Sequence, residues 1–162
     1  MKPIAYVERL NRFYQTQGFP PYQWTVNETA PITPLRKPLS RCRVAMLTSG
    51  GVSCGNAPPF NPQARNDLRL DTVPSDTDSG FFAINDDYYN HSDADRDINC
   101  IFPIDRLREL AAKGVIGEVA TNHYSGFMGR IYVRGAVVNE AAPALARKLK
   151  EDGVDAFLLV PA

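Results

Sequence analysis

The chain has 162 residues, 44% of them hydrophobic and 22% charged, with 18 basic residues balanced by 18 acidic ones. That length suits one core of ordinary size, and a net charge of zero removes the electrostatic case for bulk nucleic-acid binding. No run approaches the ~18 apolar residues of a membrane span, and Glu8, Arg9 and Arg12 interrupt the apolar N-terminus, so no membrane partner is expected and the reading is cytoplasmic.

Ile4, Val7, Leu10, Phe13 and Tyr14 recur at helical spacing, with Pro3 suited to a first turn and Gly18 to a stop, which predicts an amphipathic helix. From Phe19 to Ser40 the prolines 20, 21, 31, 34 and 38 remove backbone donors and favour an extended arm, anchored by Tyr22 and Trp24. Residues 1–42 are therefore read as helix plus proline-rich arm, and 43–162 as an α/β domain. Arg43 to Ser49 reads as a core strand opening into G-G-V-S-C-G-N-A-P-P-F. Its Ser49, Gly50 and Gly51 match neither the dinucleotide nor the phosphate-loop glycine pattern, and a tight turn serving some other site is the better reading.

After an irregular stretch, Pro103 opens a helix with Ile104, Leu107, Leu110 and Ala111 as its stripe and Gly114 as its end. Val115 to Ala120 follows as a short strand. Asn139 is expected to cap a helix running to Asp152, with Pro143 in its first turn and Gly153 at its stop. Val154 to Val160 then reads as a buried strand. This order predicts a mostly parallel sheet with flanking helices, of Rossmann or flavodoxin-like type, incomplete at the C-terminus because no element covers the last strand. Such sheets place their sites at the C-terminal ends of strands, so Ser49 to Cys54, Thr121 to Met128 and whatever follows Ala162 are expected on one rim.

The balanced charge hides an asymmetry. Residues 1–50 carry seven basic residues against two acids, and residues 71–100 carry eight aspartates against Arg96. Two surfaces that face each other or are simply solvated explain this more readily than a steering field. Asp93, Asp95 and Asp97 open like a calcium loop, but Ile98 and Ile104 stand where Gly and Glu are needed, so no metal is expected. Three well-separated cysteines, Cys42, Cys54 and Cys100, argue for a reducing compartment. Cys54 lacks a basic partner nearby and is read as inert. His91 is read as a surface residue. In T-N-H-Y-S-G-F-M-G, His123, Tyr124 and Ser125 bring an imidazole, a phenol and a hydroxyl to the end of a strand. His123 is either an acid–base or orienting group, or a histidine hydrogen-bonded into a turn.

S-D-A-D-R-D-I-N-C-I-F-P-I-D-R-L-R-E-L-A, G-V-I-G-E-V-A-T-N-H-Y-S-G-F-M-G and the terminal D-G-V-D-A-F-L-L-V-P, with T-S-G-G-V and P-P-F before them, together resemble the selenoprotein B family of the glycine, sarcosine, betaine and D-proline reductases, especially its small single-domain members. The resemblance covers Arg43 onward. It implies an α/β reductase whose selenocysteine or cysteine directly follows the last strand, which cleaves a carbon–nitrogen bond of a small amino-acid derivative with electrons from a thiol donor such as a thioredoxin-like protein. It implies no further cofactor. Ser49, Gly50, Gly51, Asp97, Asn99, Tyr124 and Ser125 are then expected to hold the substrate beside His123, and a homo-oligomer is compatible. The chain departs from the family pattern in ending before the nucleophile, in lacking a histidine near Asp86, and in the extra Gly126. The expectation is that a UGA codon for selenocysteine, read as stop, sets the end at Ala162. A scaffold that binds a small anion without redox chemistry, and a subunit whose last strand pairs with a partner, are the rival readings.

Overall fold

A computed structural model describes residues 4–23 and 26–162. Pro3 and the expected anchor Trp24 lie outside these residues. The chain divides into two units, one up to residue 34 and one from residue 35. In the first, α1 spans Tyr6–Thr16, and the Tyr22 backbone N–H returns to the Asn11 side chain at 3.1 Å. Tyr14 meets Phe13 and Phe19 edge-on. Beyond Phe19, no helix or strand forms among the described residues before Leu39.

The second unit holds β1 (Arg43–Thr48), β2 (Val52–Cys54), β3 (Leu70–Pro74), β4 (Phe82–Ile84), α2 (Ile104–Ala112), β5 (Glu118–Val119), β6 (Asn122–Gly126), α3 (Arg134–Ala136), α4 (Ala142–Glu151) and β7 (Ala156–Val160). The unit begins ahead of the expected boundary at residue 43. The backbone N–H of Gly117 reaches the carbonyls of Leu39 and Cys42, and Cys42 is fully buried, which ties the last residues of the arm to the sheet.

The fold is α/β around a mixed sheet. β1 lies at its centre and pairs in parallel with β7 over its length, from Val44↔Ala156 to Thr48↔Val160. Its other edge pairs in parallel with β5 at Arg43 and Val44 and with β6 at Leu47 and Thr48. β3 adds an antiparallel edge strand beyond β6, and β2 with β4 forms a separate antiparallel ribbon. Asp155 fixes the start of the β1–β7 pair: its carboxylate accepts from the Arg43 N–H at 2.7 Å and contacts Lys37 Nζ at 2.7 Å. The bond from Lys37, then that from Arg43, holds this carboxyl below its ordinary range.

Strand alternation sorts the core into two faces. Val44 and Met46 of β1 and Ala156 of β7 pack with Phe102, Ile104 and Leu107 under α2. Leu47, Tyr124 and Phe157 pack with Leu145 and Leu149 of α4 on the other face. Each fully buried side chain of this size, such as Met46 or Phe102, stabilises the fold by about 1.5–3 kcal/mol.

Besides the boundary at residue 43, the last strand, expected to be buried, leaves Leu158 and Leu159 41% and 62% exposed, and the backbone departs from the sequence expectations in three further places. Only Glu118 and Val119 of the expected strand Val115–Ala120 are extended, because the N–H groups of Val115 and Ile116 turn back to Leu110 at the end of α2. The segment Thr121–Met128, expected at the rim beyond a strand, instead contains β6. Finally, helical backbone begins at Arg134 rather than at an Asn139 cap, passing through a wide π turn at Val137–Ala141 before α4. Pro143 explains the widening, since it has no N–H for the carbonyl of residue 139 and its ring crowds that carbonyl.

Among the described residues no helix is long and apolar enough to cross a membrane.

Candidate functional site

The C-terminal ends of β1 and β7 are stitched together. Ser49 N–H donates to the Val160 carbonyl at 3.2 Å, and the Ser49 hydroxyl accepts from the Ala162 N–H, also at 3.2 Å. Past Ser49 the chain makes a turn that only glycine fits. Gly51 has φ +66°, and a Cβ there would stand 2.6 Å from the Asn85 carbonyl oxygen, a backbone atom that cannot step aside. At Gly50 a Cβ would meet Ile101 Cδ1 at 2.8 Å, the Tyr89 hydroxyl at 3.1 Å and Ala162 Cβ at 3.3 Å. Four segments thus converge on Gly50: the end of β1, the lead-in to α2, the acidic loop and the end of β7. The turn's polar groups are satisfied locally, with Gly50 N–H donating to Thr48 Oγ1 at 3.1 Å and Tyr89 Oη donating to the Gly50 carbonyl at 2.8 Å. Burial first, then the nearby Asp86 and Asp95, push the Tyr89 phenol up to about 12. It therefore stays protonated and keeps donating.

His123, Tyr124 and Ser125 lie inside the sheet, Ser125 beside Thr48 at the last position of β1, and the two-residue period separates them. Tyr124 points to the α4 face, packed with Leu47 and Leu145. Its phenol is pushed up by burial and then by Asp152. His123 lies on the other face, edge-on to Phe102, and both it and Ser125 are fully buried. Past the Ala120 N–H, which still donates to the Val44 carbonyl at 2.9 Å, the chain leaves the ladder, and the Thr121 carbonyl turns instead to the Ser75 N–H. The Met46 N–H would be orphaned there, but His123 Nδ1 accepts it at 3.2 Å. The proton of the neutral ring is therefore on Nε2. Nε2 and Ser125 Oγ are buried without a hydrogen-bond partner. Burial, followed by the charge of Arg108, lowers the His123 pKa to about 4. The ring is thus a neutral acceptor that completes the β1 ladder.

Asp97 and Asn99 stand at the entrance to α2. Asp97 accepts from the backbone and side-chain N–H groups of Asn99 at 3.0 and 2.8 Å, bonds that hold its carboxyl below the usual range. Asn99 in turn accepts from the Asp105 N–H at 3.0 Å and donates to Asp105 Oδ2 at 3.1 Å. Burial raises the Asp105 carboxyl, but its bonds from Asn99 and Arg108 outweigh that and leave it lowered. The Arg108 guanidinium also grips the carbonyls of Ser75 and Thr77. Asn99 thus satisfies a first-turn N–H of α2, Asp97 caps the short turn before it, and both line an open groove with Gly80, Phe82 and Ile84. They join the rim only through Ile101, which follows them and packs on Gly50.

Two residues outside the expected site adjoin the rim, Tyr89 and the expected surface residue His91. Tyr89 closes over Gly50, and His91 stacks edge-on against Tyr89 with ring centroids 5.7 Å apart. His91 Nδ1 lies 2.9 Å from Asp95 Oδ2, and the Asp95 N–H donates back to the His91 carbonyl. The signal available in the sequence was the i, i+4 spacing of His91 and Asp95, one helical turn apart. All three cysteines are free: Cys42 is buried, Cys54 half-buried and Cys100 exposed. Cys54 ends β2 and lines a groove with Pro58, Arg69 and Pro74.

The family model described as glycine/sarcosine/betaine reductase selenoprotein B matches residues 7–162. The D-proline reductase subunit gamma of Acetoanaerobium sticklandii is 36% identical over 159 residues, covering 98% of this chain and 61% of that protein. The glycine reductase complex component B subunit gamma of Carboxydothermus hydrogenoformans is 31% identical over 144 residues, covering 82% of this chain and 31% of that protein. The sarcosine reductase complex component B subunit beta of Peptoclostridium acidaminophilum is 31% identical over 154 residues, covering 85% and 32%. The chain therefore spans about three fifths of the first relative's length and about a third of the other two. No solved structure matches it.

Proposed function

Since the chain belongs to the glycine/sarcosine/betaine reductase selenoprotein B family, we propose that it is the α/β scaffold of a selenol- or thiol-dependent reductase acting on a small amino-acid derivative. The observation that carries this reading is the junction of Ser49, Gly50, Tyr89 and Ala162. It brings the end of β7 onto the glycine turn after β1, the place where an α/β sheet presents a site. A selenocysteine or cysteine continuing from β7 would enter at this rim.

The chemistry has two stages. The chalcogen's lone pair attacks the carbon bearing nitrogen, the carbon–chalcogen bond forms, and the carbon–nitrogen pair departs with the amine. A donor thiolate then attacks the chalcogen, carbon leaves with its electron pair and takes up a proton, and a second donor thiol resolves the mixed linkage. The donor dithiol becomes a disulfide, which supplies the two electrons. A thioredoxin-like protein in a reducing cytoplasm suits that donor role. The relatives are named as subunits of reductases, so work within an assembly, homo-oligomeric or mixed, follows from the same reading. Parallel pairing of β1 with β6 and β7, with α2 and α4 on opposite faces, supports a flavodoxin-like ancestry for the sheet. Ser49, Gly50 and Gly51 line the substrate rim in this proposal, Asp97 and Asn99 position it through Ile101, and His123, Tyr124 and Ser125 hold it up from beneath.

The test is protein purified from its native host, weighed by mass spectrometry and assayed with D-proline, glycine and sarcosine against dithiothreitol. Substrate-dependent thiol oxidation with a selenol or an additional thiol after β7 is expected. Absence of turnover in the assembled protein refutes the reading. One observation favours a second role: Leu158 and Leu159 of β7 are 41% and 62% exposed, and among the described residues β7 pairs only with β1. A subunit that pairs this edge with a partner strand would bury them.

A further inference from the structure

Resting on the reductase reading, we propose that His91, oriented by Asp95, is the acid–base group of the rim. The chain has two histidines. His123 is fully buried and its Nδ1 is committed to Met46, so it meets no substrate. His91 keeps 31% of its side chain exposed and places Nδ1 2.9 Å from the Asp95 carboxylate. The carboxylate fixes the proton on Nδ1 and leaves Nε2 as the basic nitrogen.

Position is the second support. The His91 ring rests on Tyr89, and the Tyr89 hydroxyl is bonded to the Gly50 carbonyl. That hydroxyl and Ala162 Cβ lie 3.1 and 3.3 Å from the point where a Cβ on Gly50 would stand. A short line of contacts thus runs from the imidazole to the end of β7. Asp95 and Tyr89 are the titratable groups that touch His91. Asp93, paired with Arg96, belongs to the same turn, and Asp86 acts on Tyr89 from the start of the loop.

In the first stage of the reaction, the selenol or thiol gives its proton to His91 Nε2 and its lone pair makes the carbon–chalcogen bond. The carbon–nitrogen pair leaves with nitrogen, which takes that proton from the imidazolium. The imidazole returns neutral, and no electron enters or leaves in this stage. Asp95 acts through His91 and is a positioning residue.

The experiment uses the full-length protein in its native assembly, D-proline, glycine and sarcosine as substrates, and dithiothreitol as reductant. The expected result is that H91Q lowers kcat about 100-fold, within the range of one lost acid–base group, and removes the limb of the pH–rate profile that His91 contributes. D95N should lower kcat less and move His91 in its 15N spectrum away from the tautomer with the proton on Nδ1. The double variant should be no worse than H91Q, because the two act as one unit. Circular dichroism and urea midpoints show that the variants are folded, which their exposed turn favours. An active parent whose H91Q variant keeps its rate and pH profile overturns this assignment alone. A parent inactive on every substrate overturns the reductase reading and the assignment together.

Discussion

His123 gives stability a pH dependence that can be isolated by substitution. Its pKa falls from 6.5 to about 4 on folding, first through burial and then through the charge of Arg108. The folded protein therefore binds fewer protons than the unfolded chain between those two values, and stability rises with pH across the window. The contribution is intact above the unfolded pKa of 6.5 and is lost as pH falls toward 4. At about 1.4 kcal/mol per pH unit, the loss is about 2 kcal/mol by pH 5 and about 3 kcal/mol by pH 4, a large share of an ordinary stability of about 5–15 kcal/mol. Lowered carboxyls such as Asp97, Asp105 and Asp155 lose their contribution only near and below their unfolded value of 3.8, which separates the two effects. The variant to make is H123N, whose side-chain oxygen accepts the Met46 N–H without titrating. Urea unfolding at pH 7.5, 6.5, 5.5 and 4.5 should show wild type losing stability relative to H123N as pH falls. H123A, which both opens a cavity and orphans the Met46 N–H, should cost about 4 kcal/mol at pH 7.5. Parallel pH curves for wild type and H123N, or an H123A protein as stable as wild type, would refute a buried neutral imidazole closing the ladder.

Two further predictions test the rim and the thiols. Replacing Gly51 by Ala forces φ +66° on a residue with a Cβ and drives that Cβ against the Asn85 carbonyl; a loss of about 2 kcal/mol or more is expected in urea unfolding, and an unchanged midpoint would deny that the turn needs glycine. In native alkylation read by peptide mass spectrometry, Cys100 should react first, Cys54 next and Cys42 last, following their exposure; Cys54 reacting ahead of Cys100 would mark an activated thiol in place of the inert one inferred here.

What the sequence disclosed was the part governed by local rules. The stripe of α2 and the strand before Ser49 are visible because apolar spacing and glycine stops announce them, and β1, α2 and β7 stand close to the expected positions. β2, β3 and β4 were not visible. They are three to five residues long and carry Asp71, Pro74 and Ser53 among their apolar residues, and what makes them extended is pairing with β6 or with one another. Such pairing is non-local and leaves little trace in a short window. The site followed the same division. Ser49, Gly50 and Gly51 were legible as a turn after a strand. Tyr89 was not, since its role is a bond to a carbonyl 39 positions earlier.

The reading of His123, Tyr124 and Ser125 as one rim group depended on placing them past the end of a strand. Once the segment is a strand, adjacent residues point to opposite faces and cannot converge on one substrate. The break at Ala120 and Thr121 then assigns the histidine a backbone task, because a ladder interrupted on one strand leaves a donor on its neighbour, and a buried N–H without an acceptor costs about 1–3 kcal/mol. An imidazole two residues past the break is long enough to reach back and accept it. The same reasoning moves proton chemistry outward to the loop above the rim. There, a half-buried histidine with a carboxylate on one nitrogen packs on Tyr89, whose hydroxyl bonds the Gly50 carbonyl past the end of β1. In the proposed reading, this chain's rim divides its labour between a buried histidine that completes the β1 ladder and a half-buried one, held by Asp95, that exchanges protons.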